Sequence, residues 1–257
     1  MRSFNFVRGL IIFLTSLGIA SASFAGDLIE IVKADGKVMV SESIDAQNKK
    51  VVAAKSILPA KYFLETGSDG RAVIRVRDAG YIVVEKNSKV EFSDVDDRAN
   101  LLRHITGIVY YALHSLKGDK PPIKIQTNIA FLGVRGTRFL VADTEERKEV
   151  GVRKGLVNVE SPGEAFEIHR KEQLDEFEAF KREGKHAIAE EKRSFSEYQA
   201  NTQKEFIEYK REFGLGANRM ATFDGNRVVE GELSEASIKD IETIESYAKD
   251  WLDEVND

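Results

Sequence analysis

The feature that most constrains the fold is a run of alternating apolar residues between positions 123 and 159, interrupted by short polar turns. Apolar side chains occur at every second position, for example at Ile123 and Ile125 and again at Val157 and Val159. A period of two places one face of a strand against a core and leaves the other face in solvent. The stretch therefore predicts four short strands, with residues 133–137 in a turn at its centre.

Similar segments, rich in β-branched and aromatic residues, precede this stretch. They occupy residues 28–32, 37–40, 62–64, 72–76, 81–84, 90–92 and 108–113. Turn formers such as Asp35-Gly36 and Lys86-Asn87 separate them, because glycine and asparagine accept a positive φ at low cost. This spacing indicates an all-β domain over residues 26–161, either a solenoid or a twisted sandwich. Residues 96–103 fit a short helix or an irregular entry into a strand.

The N-terminus has the composition of an export signal. Arg2 and Arg8 precede an apolar run that begins at Leu10, and Ser23-Phe24-Ala25 has the small-x-small form of a signal-peptidase site. The apolar run is interrupted by polar residues and is shorter than the roughly 20 residues of a membrane span. We expect residues 1–25 to be a cleaved signal peptide, with no transmembrane segment afterwards and a periplasmic location.

Composition excludes several classes of function. The chain has no cysteine, which excludes disulfides and thiol catalysis, and its formal net charge of −5 argues against general nucleic-acid binding. The four histidines show no metal-ligand spacing, and His104 has apolar neighbours that indicate a packed side chain. We therefore expect a protein without enzymatic activity, cofactor or metal.

Several of these segments together resemble the periplasmic FecR domain. The resemblance covers about residues 26–161 and rests on Asp35-Gly36-Lys37-Val38, Leu64-Glu65-Thr66-Gly67, Ile125-Gln126-Thr127, Val134-Arg135-Gly136-Thr137-Arg138-Phe139 and Gly155-Leu156-Val157-Asn158-Val159. It implies an all-β, solenoid-like or twisted-sandwich fold, a role in protein contact and no catalysis. Signalling members of the family carry a cytoplasmic helical domain and a transmembrane helix ahead of this domain, whereas only the signal-like segment precedes it here.

The Arg135-Gly136-Thr137 motif has two interpretations. In the structural one, Gly136 adopts a backbone conformation that other residues avoid, Arg135 donates to carbonyls at a corner of the fold, and Thr137 re-enters a strand. In the functional one, Arg135 and Arg138 present a cationic fork to a carboxylate or phosphate. The sequence favours the structural role.

After residue 161 the composition becomes rich in Glu, Lys and Arg, which indicates a long amphipathic helix over residues 162–216. Aromatic residues recur in it at steps of 18, 11 and 29 positions, all of which return to one face of a helix. The predicted interaction stripe consists of Phe177, Phe180, Phe195, Tyr198, Phe206, Tyr209 and Phe213. Such a stripe needs a partner surface: the β domain, a second copy in a coiled coil, another envelope protein or a cell-wall glycan.

The last segment, residues 217–257, is expected to be a linker followed by an amphipathic helix. Phe223-Asp224-Gly225-Asn226 resembles a turn, and the helix starts at Ser234 or at Ser237. We expect Trp251 to anchor this helix against the rest of the protein.

These observations give three hypotheses for function. The first is an exported, non-enzymatic interaction or scaffold protein. The second is a carbohydrate- or peptidoglycan-binding envelope protein, and the third is a regulator of cell-surface signalling without its own anti-sigma domain.

Overall fold

The computed structural model describes residues 29–59, 61–77, 79–92, 102–114, 123–170 and 207–255. These residues form nineteen strands and two C-terminal helices, in the following order. They are β1 (Ile29–Asp35), β2 (Val38–Ser41), β3 (Lys50–Val51), β4 (Ser56–Ile57), β5 (Phe63–Thr66), β6 (Arg71–Val76), β7 (Gly80–Val84), β8 (Lys89–Phe92), β9 (Leu102–Leu113), β10 (Ile123–Gln126), β11 (Phe131–Val134), β12 (Arg138–Asp143), β13 (Lys148–Lys154), β14 (Leu156–Glu160), β15 (Phe166–Arg170), β16 (Ile207–Lys210), β17 (Glu212–Gly216), β18 (Arg219–Asp224), β19 (Arg227–Glu232), α1 (Glu235–Tyr247) and α2 (Lys249–Leu252).

The strand pairings divide into two open sheets that share β9. Sheet A has the order β4-β1-β6-β7-β9-β12-β13-β18-β19-β15-β16. Sheet B has the order β3-β2-β5-β8-β9-β10-β11-β14-β17. All pairs are antiparallel except β9 with β10 and β15 with β19. The prediction that β-structure dominates is confirmed.

Strand β9 changes sheet at Gly107. Residues before it pair with β8 in sheet B, and residues from Gly107 onward pair with β12 in sheet A. Gly107 has a φ of +97°, and a Cβ at this position would lie 2.5 Å from Ser88 Cα. Only glycine fits this close approach without movement of the backbone. Gly107 therefore positions the two sheets relative to each other.

Alternate side chains of both sheets point into one shared core. Ile74 and Ile82 of sheet A are fully buried in the same cluster as Leu64, Val90 and Leu132 of sheet B. The alternation predicted for residues 123–159 is present, but the stretch contains five strands, β10 to β14, rather than four.

A second apolar cluster lies on the opposite face of sheet A. The helices α1 and α2 contribute the buried residues Ile241, Ile244 and Leu252, which pack with Tyr110 of β9 and Leu140 of β12. Trp251 is partly buried at this cluster, so it contributes to packing of the helices. The Ser234 side chain caps α1 by accepting a hydrogen bond from the Ser237 N–H at 3.1 Å, which decides between the two predicted starts.

The predicted long helix is wrong at both ends. Its first residues form β15, and its last residues, including Tyr209 and Phe213, form β16 and β17. The expected linker contains the hairpin β18–β19, whose turn lies at Gly225-Asn226. The rest of the predicted helix, residues 171–206, lies outside the described residues.

Tertiary pairing explains this error. Strands β15 and β16 pair with each other in sheet A, while β17 pairs with β14 in sheet B. These pairings satisfy the backbone of a segment whose Glu- and Lys-rich composition would by itself favour a helix. The strands that follow Ser161 thus complete the same two sheets as the strands before it.

Candidate functional site

The Arg135-Gly136-Thr137 motif forms the tight connection between β11 and β12. Gly136 has a φ of +67°, a conformation that glycine adopts at low cost. Thr137 is buried, and its carbonyl accepts a hydrogen bond from the Leu113 N–H at 2.9 Å. The connection is therefore held against the end of β9.

The two arginines of this region lie in different surroundings. Arg135 is exposed in the turn, whereas Arg138 reaches the C-terminal end of the chain. The Arg138 Nη2 donates hydrogen bonds to the carbonyl oxygens of Leu252 at 3.0 Å and Val255 at 3.1 Å. Carbonyls at a helix C-terminus lack partners within the helix, so a guanidinium is well suited to them. Arg138 thus attaches the C-terminal helices to the motif.

Two tyrosines strengthen this attachment at the edge of the apolar cluster. The Tyr110 hydroxyl donates to Glu245 Oε1 of α1 at 2.5 Å, and the Tyr81 hydroxyl donates to the Glu254 carboxylate. Burial and the neighbouring Glu245 carboxylate raise the pKa of Tyr110. Burial and Glu254 raise the pKa of Tyr81 to about 12. Both hydroxyls therefore keep their protons at neutral pH and remain donors.

A third polar contact fixes the start of α1. Arg147 pairs with Asp240 of α1 at 2.6 Å and with Glu149 at 2.5 Å. The buried Ser237 hydroxyl donates to the same Glu149 at 2.8 Å. The strand β13 and the helix thus share one hydrogen-bonded network.

A charged cleft of about 430 Å³ lies between α1 and the ends of inner strands of sheet A. Its lining includes Arg71, Glu85, Lys86, Glu146 and Asp240. A second hollow of about 330 Å³ shares the first three of these residues and extends to Tyr247. The two hollows form one surface feature, here called the α1 cleft.

An ion pair divides the α1 cleft. The Arg71 Nη2 lies 2.5 Å from Glu85 Oε2, and its guanidinium carbon lies 4.6 Å from the centre of the Tyr247 ring. Glu85 is only 7% exposed, and burial raises its pKa despite the neighbouring Arg71. Lys33 Nζ lies 3.8 Å from the centre of the same Tyr247 ring. Two cations thus contact the Tyr247 ring and hold this end of α1 against the sheet.

Sequence reasoning did not identify the α1 cleft. Its residues come from separate turns and from α1, and none of them forms a local motif. One signal was present: Glu85 follows the five buried residues of β7, so its carboxylate had to lie at the end of a buried strand. Among the described residues, no group of three or more His, Asp or Glu side chains is arranged to hold a metal ion.

The predicted aromatic stripe is not formed at the two members that the structure describes. Tyr209 lies on β16 with 67% of its surface exposed. Phe213 lies on β17, packs against the main core and contacts Phe166 edge-on at 5.8 Å between ring centres. The remaining members, Phe177, Phe180, Phe195, Tyr198 and Phe206, lie outside the described residues.

His104 is a fully buried side chain of β9. Its Nε2 lies 3.2 Å from the Gly107 carbonyl oxygen, and the Tyr111 hydroxyl lies 3.4 Å from its Nδ1. Burial lowers the pKa of His104 to about 4, although the nearby Asp143 carboxylate opposes this shift. His104 is therefore neutral in the folded protein at neutral pH.

Comparison with protein families gives a match within the β-rich part of the chain. Residues 62–158 match the FecR family, described as FecR protein, which confirms the resemblance seen in the sequence. Residues 62–158 are therefore similar to a FecR domain. The matched residues include most of the α1 cleft lining and Arg138, whereas β15–β19 and both helices lie beyond the match.

Solved structures give a more distant likeness. Two crystal structures of a candidate anti-sigma factor from Parabacteroides distasonis ATCC 8503 align with a TM-score of 0.44, at 11% and 12% sequence identity. The alignment covers 69% of this chain and 62% of each of those chains, so this chain spans less than two thirds of their length. A search of curated proteins found no match. None of the helices in the described residues has the length and apolar character of a membrane span.

Replacing Arg138 with alanine should lower the free energy of unfolding by about 2 kcal/mol, because the Leu252 and Val255 carbonyls lose the hydrogen bonds that the guanidinium donates. The Leu252 carbonyl still accepts from the Val255 N–H at 3.2 Å. Arg138→Lys should recover part of this loss. Urea unfolding followed by circular dichroism measures both changes. Arg227→Ala, at an exposed arginine of β19, is the matched control and should change stability little. Equal effects at the two arginines would contradict the assigned role of Arg138.

Lowering the pH should destabilise the protein through His104. The unfolded chain binds a proton below the ordinary histidine pKa of 6.5, while the folded chain does so only near pH 4. Stability is therefore lost as the pH falls through this window, by roughly 2 kcal/mol between about pH 7 and pH 4.5. Unfolding curves at both pH values should show a smaller loss in His104→Gln. The carboxylates contribute equally to both proteins, so an unchanged pH dependence in the variant would refute this origin.

Proposed function

We propose that this protein is a regulator of cell-surface signalling that acts by binding another protein, without catalysis. The observation that carries this proposal is the FecR domain over residues 62–158. The signal-like segment at residues 1–25 supports export, and we propose a periplasmic location for the folded part.

The α1 cleft is the proposed contact surface for the partner. Arg71, Glu85, Lys86 and Glu146 belong to the FecR domain, whereas Asp240 belongs to α1. Because both parts contribute lining residues, the cleft exists only while the helix is docked. A partner that binds there would therefore favour the docked state of the C-terminal helices.

The glycan-binding alternative has less support. It relied on sugars stacking either on the strand surface or on the Phe/Tyr pairs of the tail. Of the aromatic residues in the tail, Tyr209 and Phe213 lie on strands of different sheets. The proposed interaction role relies on the FecR domain. It is therefore unaffected by the finding that these residues of the tail form strands instead of the predicted helix.

A photo-crosslinking amino acid placed at Glu146, on the rim of the α1 cleft, should capture one defined protein in intact cells. The matched control position is Lys124, an exposed residue of β10 in sheet B. Mass spectrometry identifies the adduct, and fractionation should recover it from the periplasm.

The proposal predicts an adduct at Glu146 that is absent at Lys124 and that weakens when Arg71→Ala disturbs the cleft. Absence of any protein adduct at Glu146, or the same adducts at both positions, would contradict it.

A further inference from the structure

Strand β16 is the outermost strand of sheet A, at the end farthest from β4. Within the described residues it pairs only with β15. Its central residue, Tyr209, is 67% exposed. An edge strand with an exposed aromatic side chain can pair with another strand.

The backbone N–H and C=O groups of Tyr209 point away from the neighbouring strand β15. Tyr209 lies opposite Glu167 of β15. The Glu167 N–H donates to the Asn226 carbonyl at 2.9 Å, on the β19 side, so it points away from β16. Residues opposite each other in an antiparallel pair orient their backbone groups alike, either both inward or both outward. The N–H and C=O of Tyr209 are therefore directed outward from the edge.

The charges of β16 are complementary to a second copy of the same strand. Glu208 and Lys210 flank Tyr209 and share one face of the strand. Within one chain, Lys210 Nζ lies 2.5 Å from Glu208 Oε2, and Arg170 Nη1 lies 2.8 Å from Glu208 Oε1, so these side chains exchange partners or share them when a second strand pairs. In an antiparallel pair centred on Tyr209, each Glu208 faces the partner's Lys210. Opposite charges across a strand pair stabilise it, and like charges destabilise it.

The neighbouring alignments of the two strands are less favourable. A shift of two residues, which keeps the outward backbone groups in register, places Glu208 opposite Glu208 or Lys210 opposite Lys210. Parallel pairing in register also places like charges side by side. The alternating charges that usually protect an edge strand thus favour the alignment centred on Tyr209 over its neighbours.

We propose that two copies of this chain form a dimer through antiparallel pairing of their β16 strands, centred on Tyr209. The two Tyr209 residues exchange two backbone hydrogen bonds, and two Glu208–Lys210 pairs lie across the two-fold axis. The dimer contact requires no protein other than a second copy of this chain, and it is independent of the function proposed above. A four-residue strand pair is small compared with the roughly 1,600 Å² of a standard interface, so we expect a weak, reversible dimer.

The test uses charge reversal on the full folded chain, residues 26–257. Lys210→Glu and Glu208→Lys each place like charges across the axis, so each variant alone should be monomeric. Mixing the two variants restores opposite charges and should form a heterodimer. The double variant Glu208→Lys/Lys210→Glu should again be a homodimer.

Sedimentation velocity at protein concentrations up to about 100 μM measures association of each sample. Lys124→Glu makes the same charge change on β10 and should leave the dimer intact, and thermal melting checks that each variant is folded. A monomeric wild type, or a dimer that persists in Lys210→Glu, would overturn the proposal. Failure of the mixed variants to associate would also overturn it.

Discussion

The fold depends on burial of the outer face of sheet A beneath the two C-terminal helices. Side chains of β9 and β12 on this face, such as Tyr110 and Leu140, are fully buried only because α1 and α2 cover them. Each large aliphatic side chain that the helices bury contributes about 1.5–3 kcal/mol. A few such residues together are comparable with the whole stability of a typical domain, about 5–15 kcal/mol. The polar contacts of Arg138, Tyr81 and Arg147 then fix where the helices lie.

The docked helices also determine what the surface can bind. Glu85 and Arg71 form a half-buried ion pair at the ends of β6 and β7 in sheet A, and Tyr247 of α1 covers the guanidinium. Without the helix, this ion pair would be open to water and the α1 cleft would lose one wall. The FecR match ends before α1, so the helical wall of the α1 cleft lies outside the matched residues.

The sequence predicted the fold where the hydrophobic pattern is local. Period-two alternation located most strands up to Val159. The start of α1 was predicted at Ser234 or Ser237, and the structure places the cap at Ser234. Prediction from the sequence failed for β15 to β17, because pairing with strands distant in sequence overrode a composition that favours helix. It also failed for the α1 cleft and for the role of Arg138, since both depend on contacts between residues more than 100 positions apart. The sequence did not predict the role of Gly107, because its close contact with Ser88 forms only in the tertiary structure.

Removal of the C-terminal helices tests the central claim most directly. We would compare urea unfolding of residues 26–257 with that of a chain ending at Leu233, together with binding of a dye that fluoresces on exposed apolar surface. Loss of most of the unfolding free energy, with strong dye binding, is the predicted result, since the outer face of sheet A would become exposed. A shortened chain that unfolds cooperatively at the same urea concentration and binds no dye would contradict the account.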